Sequence, residues 1–121
     1  MMNKKKILVV DDDATNRKFL NIVLSKKPDI ETIEAENGTE ALDKLNDDVA
    51  LILLDIYMPV MDGIKFMQTL KMEKPQYANI PIIVLSTDDT KKNEALSWGA
   101  KDFILKPVRP VILWEKISEY I

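Results

Sequence analysis

The chain has 121 residues, and neither cysteine nor histidine is among them. The first absence excludes a disulfide framework, thiolate metal sites and a cysteine nucleophile, and it is compatible with a reducing compartment. The second excludes imidazole as general base, nucleophile or metal ligand. Glycine is scarce: Gly38, Gly63 and Gly99 stand far apart and none follows the first apolar run, so a glycine-rich phosphate loop is not available. Neither sign of charge dominates. The 17 Lys and Arg against 20 Asp and Glu leave a net charge of -3, which gives no basic footprint for nucleic acid or an anionic membrane. Long apolar runs are also missing, and Met1 to Lys6 is polar and basic with no h-region behind it. Neither a transmembrane helix nor a signal peptide is expected, and the protein reads as cytoplasmic. The length suits one domain that buries about two-thirds of its unfolded surface.

Three short apolar runs are present: Ile7 to Val10, Val49 to Leu54 and Ile80 to Leu85. Their lengths suit strands buried on both faces. Ile30 to Glu36 and Asp102 to Leu105 read as edge strands. Between these runs lie helical patterns. Ala14 to Lys26 presents Phe19, Leu20, Val23 and Leu24 at helical spacing. A second helix follows Asn37-Gly38, with Glu40 placed for a capping box. A third starts at Asp62-Gly63, with Asp62 as cap. The fourth, roughly Thr90 to Trp98, is weakly apolar and the most easily moved. The last starts at Pro110, a favoured first helical residue, and continues to the end of the chain. Strands alternating with helices imply right-handed crossovers and one parallel sheet. The expected fold is α/β, a flavodoxin-like (βα)5 doubly wound domain with five parallel strands in the order 2-1-3-4-5.

In that topology all strand carboxyl ends share one edge, with ligands expected outside strands 1 and 3. Strand 1 runs into Asp11, Asp12 and Asp13, and strand 3 into Asp55; strand 4 ends at Ser86-Thr87 and strand 5 at Lys106-Pro107. Asp13 also reads as a helix cap. Clustered carboxylates repel unless a cation compensates them, and a few hard oxygen donors with room for water suit Mg2+. An Asp carboxylate can attack phosphorus to give an acyl phosphate, while a metal and a lysine neutralise the transferring oxygens.

The stretches ILVVDDDATNR, EAENGTEAL, LILLDIYMPVMDG, IPIIVLST and GAKDFILKP resemble the receiver domain of two-component response regulators, and together they span nearly the whole chain. The resemblance implies one receiver domain over residues 1–121 with no effector domain. It implies a signalling switch, catalysing only its own phosphorylation and dephosphorylation, in which Asp55 takes a phosphoryl group from a histidine kinase or histidine phosphotransfer protein. Asp12 would bind Mg2+ directly and Asp11 through water, with Asp55 and the Tyr57 carbonyl completing the protein ligands; Mn2+ is the alternative ion. Ser86 would be the switch hydroxyl and Lys106 would pair with a phosphoryl oxygen. Lys106-Pro107 would be cis, and Phe103 would turn inward on activation. Thr87 stands where the family has Ala or Gly, and its bulk narrows the approach to Asp55. Tyr57 and Asp88 fall where the family tunes acyl-phosphate lifetime.

Val111, Ile112, Leu113 and Trp114 are consecutive apolar residues that no single helix face can bury. Ile112 or Trp114, with Trp98 and Phe103, is expected to form an exposed patch on the face of helix 4, strand 5 and helix 5, used for a downstream protein target or a homodimer. Two rivals are weaker. Asp11-x-Asp13-x-Thr15 fits the opening motif of haloacid dehalogenase-like phosphatases, yet only Glu115 and Glu119 follow Lys106 as the later acidic motif. A flavin- or nucleotide-binding module of this topology would need the glycine-rich loop that is missing.

Overall fold

The computed structural model describes residues 4–121; Met1 to Asn3, half of the segment read as lacking an h-region, lie outside them. Five strands, β1 (Lys5–Val10), β2 (Ile30–Ala35), β3 (Val49–Asp55), β4 (Ile82–Ser86) and β5 (Asp102–Leu105), form one parallel sheet in the order β2-β1-β3-β4-β5. Five helices alternate with them: α1 (Ala14–Leu24), α2 (Gly38–Lys44), α3 (Gly63–Glu73), α4 (Lys92–Ser97) and α5 (Pro110–Ser118). The expected flavodoxin-like fold and strand order are therefore those of the structure.

The near-continuous apolar strands are explained by two core layers, one on each face of the sheet. Leu8, Val10, Ile52, Leu54, Ile82 and Val84 face α2, α3 and α4 through Ala41, Leu42, Phe66, Met67, Leu70 and Ala95. Their alternates Ile7, Val9, Leu51, Leu53, Ile83 and Leu85 face α1 and α5 through Leu20, Val23, Leu24, Leu113 and Ile117. This alternation is the period-two pleat read out in three dimensions. Each fully buried Leu or Ile contributes about 1.5–3 kcal/mol of transfer free energy.

Several element boundaries shift, each for a local reason. β1 begins at Lys5, because Lys5 and Lys6 pair with Ile30 and Glu31 of β2 despite their charge. β4 starts at Ile82 instead of Ile80: Pro81 has no N–H to give the ladder and only its carbonyl accepts, from Ile52 N at 2.9 Å. α1 stops two residues early, where Ser25 caps it. α4 is preceded by a 3-10 turn at Asp89–Lys91 capped by Asp88, and Ala95 is its one fully buried residue. α5 ends at Ser118; the Glu119 and Tyr120 amides reach back three residues to Lys116 and Ile117, tightening the last turn. The capping box at α2 is half made. Asn37 Oδ1 accepts from Glu40 N at 2.9 Å, while the Glu40 carboxylate turns to Lys44 at 2.8 Å. Among the described residues no helix is long and apolar enough to cross a membrane.

Candidate functional site

β1 and β3 are neighbours, but their crossovers leave in opposite directions, which opens a crevice beyond their carboxyl ends. Asp11 follows β1 directly and Asp55 is the last residue of β3. The Asp11 amide donates to the Ala35 carbonyl at 3.1 Å, holding the chain extended into the crevice. Its Oδ1 accepts from the Asp13 amide at 2.9 Å and its Oδ2 from Lys106 Nζ at 3.0 Å. Asp13 in turn caps α1 by accepting from the Thr15 amide, as its position implied.

Lys106 reaches the crevice because its amide donates to the Ser86 carbonyl at 2.7 Å, carrying the β4–β5 ladder one step past β5. Its Nζ lies 3.6 Å from Asp55 Oδ2 as well as 3.0 Å from Asp11. The Lys106-Pro107 peptide is cis. Asp55 is buried, at 7 % exposure, and burial pushes its pKa up to about 6; the Lys106 ammonium opposes that rise, and the Asp11 and Asp12 charges add to it.

One carboxylate oxygen from each of Asp11, Asp12 and Asp55 falls in a group whose members all lie within 4.8 Å of one another. Asp11 and Asp55 are buried and Asp12 is exposed. Three hard oxygen donors, one open to solvent, fit a small divalent cation that keeps part of its water shell. A single lysine cannot neutralise three carboxylates, so a cation is also what the charge of the site calls for.

Ser86 is fully buried and its Oγ accepts from the Asp88 amide at 3.2 Å. Thr87 is exposed, and with Asp11, Phe19, Lys106, Pro107 and Val108 it lines a cleft of about 620 Å³ running from the carboxylates toward α1. The Tyr57 amide donates to Asp55 Oδ1 at 3.3 Å and its phenol to Asp88 Oδ2 at 3.4 Å. Phe103 is half-buried against the α2–α3–α4 layer.

The expected four-residue apolar patch is dispersed. Phe103 and Ile112 do line one groove, of about 290 Å³, with Leu105, Pro107 and Arg109. Trp114 belongs to the opposite layer, half-buried against α1 and α5 core residues, with Lys27 Nζ 5.0 Å from its ring centroid. Trp98 is engaged by α3, with Lys71 Nζ 5.7 Å from its ring centroid. Of the apolar run in α5, Leu113 is buried, Trp114 half-buried, and Val111 and Ile112 exposed. One helix can divide four neighbours this way because successive residues point about 100° apart.

Three contributors went unread in the sequence. Arg17 Nη1 donates to the Asp11 carbonyl at 2.6 Å, and Arg17 Nε donates to Glu34 at 3.0 Å. No motif marks that pair; the only cue is that Arg17 stands one turn beyond the Asp13 cap. Gly63 is the third: a Cβ there would stand 2.5 Å from the Asp55 carbonyl oxygen, so α3 starts against the end of β3 only because this residue is glycine.

Similarity to known proteins agrees with this geometry. Residues 7–118 match the response regulator receiver domain model. The chain is 36% identical over 120 residues to the chemotaxis protein CheY homolog of Campylobacter jejuni, covering 96% of this chain and 92% of that one. The structure of Vibrio cholerae chemotaxis protein CheY4 superposes with a TM-score of 0.88 at 31% identity, covering 98% and 99% of the two chains. The CheY of a CheX-CheY-BeF3-Mg2+ complex from Borrelia burgdorferi does so with 0.85 at 26% identity, covering 98% and 91%. With the family model matching nearly all of the doubly wound domain that carries the carboxylate cluster, this chain belongs to the response regulator receiver domains, which are signalling switches.

Proposed function

We propose that the chain takes a phosphoryl group onto Asp55 from a phosphohistidine of a histidine kinase or phosphotransfer protein, and that Mg2+ assists. The observation that carries this reading is the buried Asp55 carboxylate, with Lys106 Nζ 3.6 Å away and the carboxylates of Asp11 and Asp12 close by. An Asp55 oxygen attacks phosphorus, the O–P bond forms as the N–P bond of the donor breaks, and the imidazole leaves with the bonding pair and recovers a proton. Asp11, Asp12, Asp55 and the Tyr57 carbonyl would hold the Mg2+, which supplies charge neutralisation of the phosphoryl oxygens when bound. Lys106 stabilises a second oxygen, and the buried Ser86 hydroxyl is the donor for a third. The relative from Borrelia burgdorferi carries Mg2+ with BeF3, a tetrahedral stand-in for a phosphoryl group, which favours the same donor set here.

Phosphorylation adds charge where Asp55, Asp11 and Asp12 already crowd. Ser86 turns to the new group and releases the Asp88 amide it now accepts from, and α4, with one fully buried residue, shifts with it. Phe103 moves inward, altering the groove it shares with Ile112, where a protein target or a second copy of the chain docks. Thr87 lines the approach to Asp55 and limits the size of donor that enters. The receiver's turnover is limited to its own phosphorylation and dephosphorylation, in the cytoplasm and without direct contact to nucleic acid or membrane.

The test is phosphotransfer from a phosphorylated histidine donor in the presence of Mg2+, followed by intact mass. Wild type should gain one phosphoryl group and Asp55→Asn none; equal labelling of both removes Asp55 from the central role.

A further inference from the structure

We infer that Arg17, clamped by Glu34, is a positioning residue for the acidic site: it fixes the peptide plane between Asp11 and Asp12 and so sets how tightly those carboxylates bind a divalent cation. The inference rests on the cation-site reading above.

Arg17 lies on α1, and its side chain is only 13% exposed. Nη1 donates to the Asp11 carbonyl at 2.6 Å, the shortest polar contact made to either of the first two aspartates. That carbonyl and the Asp12 amide belong to one rigid peptide unit. Holding its oxygen therefore fixes the φ of Asp12 and the ψ of Asp11 together, and with them the directions in which both side chains leave the backbone. The Asp11 amide is already bonded to Ala35, and the Asp11 carboxylate to Asp13 and Lys106. Arg17 holds the last free polar group of that residue. Among the described residues no hydrogen bond tethers the exposed Asp12 side chain, so its aim depends on the peptide plane it shares with Asp11.

The guanidinium is itself held. Nε donates to Glu34 Oε1 at 3.0 Å, and Glu34 Oε2 accepts from Asn21 Nδ2 at 2.7 Å, one turn along α1 from Arg17. The fork geometry of arginine suits this role, with one edge on the carboxylate and an outer nitrogen free for the carbonyl; a lysine ammonium cannot span both. Groups that orient metal ligands without touching the metal typically contribute about 10–100-fold to its affinity.

The experiment is a Mn2+ titration followed by electron paramagnetic resonance, on chelator-treated protein. It is read beside thermal unfolding and the amide hydrogen exchange of Asp12, both without cation. Arg17→Ala and Glu34→Ala should each bind Mn2+ about tenfold more weakly, with faster Asp12 exchange. Glu34→Gln should restore near-native affinity: its amide oxygen accepts from Arg17 Nε, and its amide nitrogen donates to Asn21 Oδ1 once the Asn21 amide, whose nitrogen now faces Glu34, turns over. If Arg17→Ala fails to fold, Glu34→Ala carries the test. Native affinity in a folded Arg17→Ala or Glu34→Ala protein overturns the inference, whatever happens to exchange. Wild type that binds no Mn2+ overturns the cation site itself, a result separable from the first because it appears before any substitution is made.

Discussion

The phenol of Tyr57 donates to Asp88 Oδ2 at 3.4 Å, so the loop after β3 is tied to the loop after β4 across the mouth of the acidic crevice. Asp88 also caps the turn that leads into α4 by accepting from the Thr90 amide at 2.9 Å. The contact therefore couples solvent access at Asp55 to the start of the weakly held helix. The Thr90 amide and the Tyr57 hydroxyl both favour the ionised form of Asp88 and hold its pKa below the ordinary carboxylate range.

Tyr57→Ala removes both the ring and the tie. Hydrolysis of the phosphorylated protein should accelerate about threefold, a barrier change of about 0.7 kcal/mol. Tyr57→Phe, which keeps the ring but not the hydroxyl, should fall between that variant and wild type. The decay of the phosphorylated mass with time checks both, and an unchanged Tyr57→Ala rate shows that the ring does not shield the acyl phosphate.

Asp55 gives the cation-free protein a defined pH dependence. Its folded pKa of about 6 lies above the ordinary value of 3.8, so folding favours the protonated carboxyl. The stability from this group is fully present below pH 3.8 and is lost as pH rises through about 6. Between pH 7 and pH 5, in chelator, the unfolding temperature should rise, and Asp55→Asn should flatten that slope and be more stable than wild type at pH 7. Divalent cations compete with the same proton, so their affinity should fall over this interval. Calorimetry in chelator and cation titration at several pH values test the pair of effects.

Val60 sits at φ 69, the left-handed region, and the Met61 amide closes a three-residue turn onto the Pro59 carbonyl at 2.7 Å. A β-branched residue is strained there, and Val60, 83% exposed, gains no packing in return. Val60→Gly should stabilise the protein by about 0.5–1 kcal/mol, the left-handed penalty less the extra chain entropy of glycine. Urea midpoints measure it; a lower midpoint in the variant counts against strain at this turn.

Gly63→Ala should do the opposite. The new Cβ meets the Asp55 carbonyl oxygen at 2.5 Å and Ile56 Cα at 2.9 Å, both backbone atoms that cannot rotate aside. Moving the start of α3 should cost about 1–3 kcal/mol, and because the crowded atoms are the backbone of Asp55 and Ile56, phosphotransfer to the proposed acceptor should slow beyond what the stability loss explains. Urea midpoints together with phosphotransfer rates on the folded fraction decide this.

Which features were legible follows from how each is encoded. Strand order and the convergence of Asp11, Asp12, Asp55, Ser86 and Lys106 could be read because a parallel sheet sends every strand end to one edge, so position along the chain becomes position in space. The Asp13 and Asp62 caps could be read for a similar reason, since each acts on its own helix. Side-chain direction is not encoded in that way. Arg17 and Glu34 are 17 residues apart, and they meet only because α1 packs beside β2. The same limit explains the dispersed patch: Phe103 and Trp114 looked like partners on a shared face until the sheet was seen to separate them.

The two tryptophans are consequently two independent optical reporters. Trp98 caps α4 beneath Lys71 of α3, and Trp114 rests beneath Lys27 near α1 and β2. An ammonium over an indole alters its emission, so a shift of α4 away from Lys71 changes one signal while the other serves as an internal reference. In a chain without histidine or cysteine, single-tryptophan variants would let the two layers of the molecule be followed separately in real time.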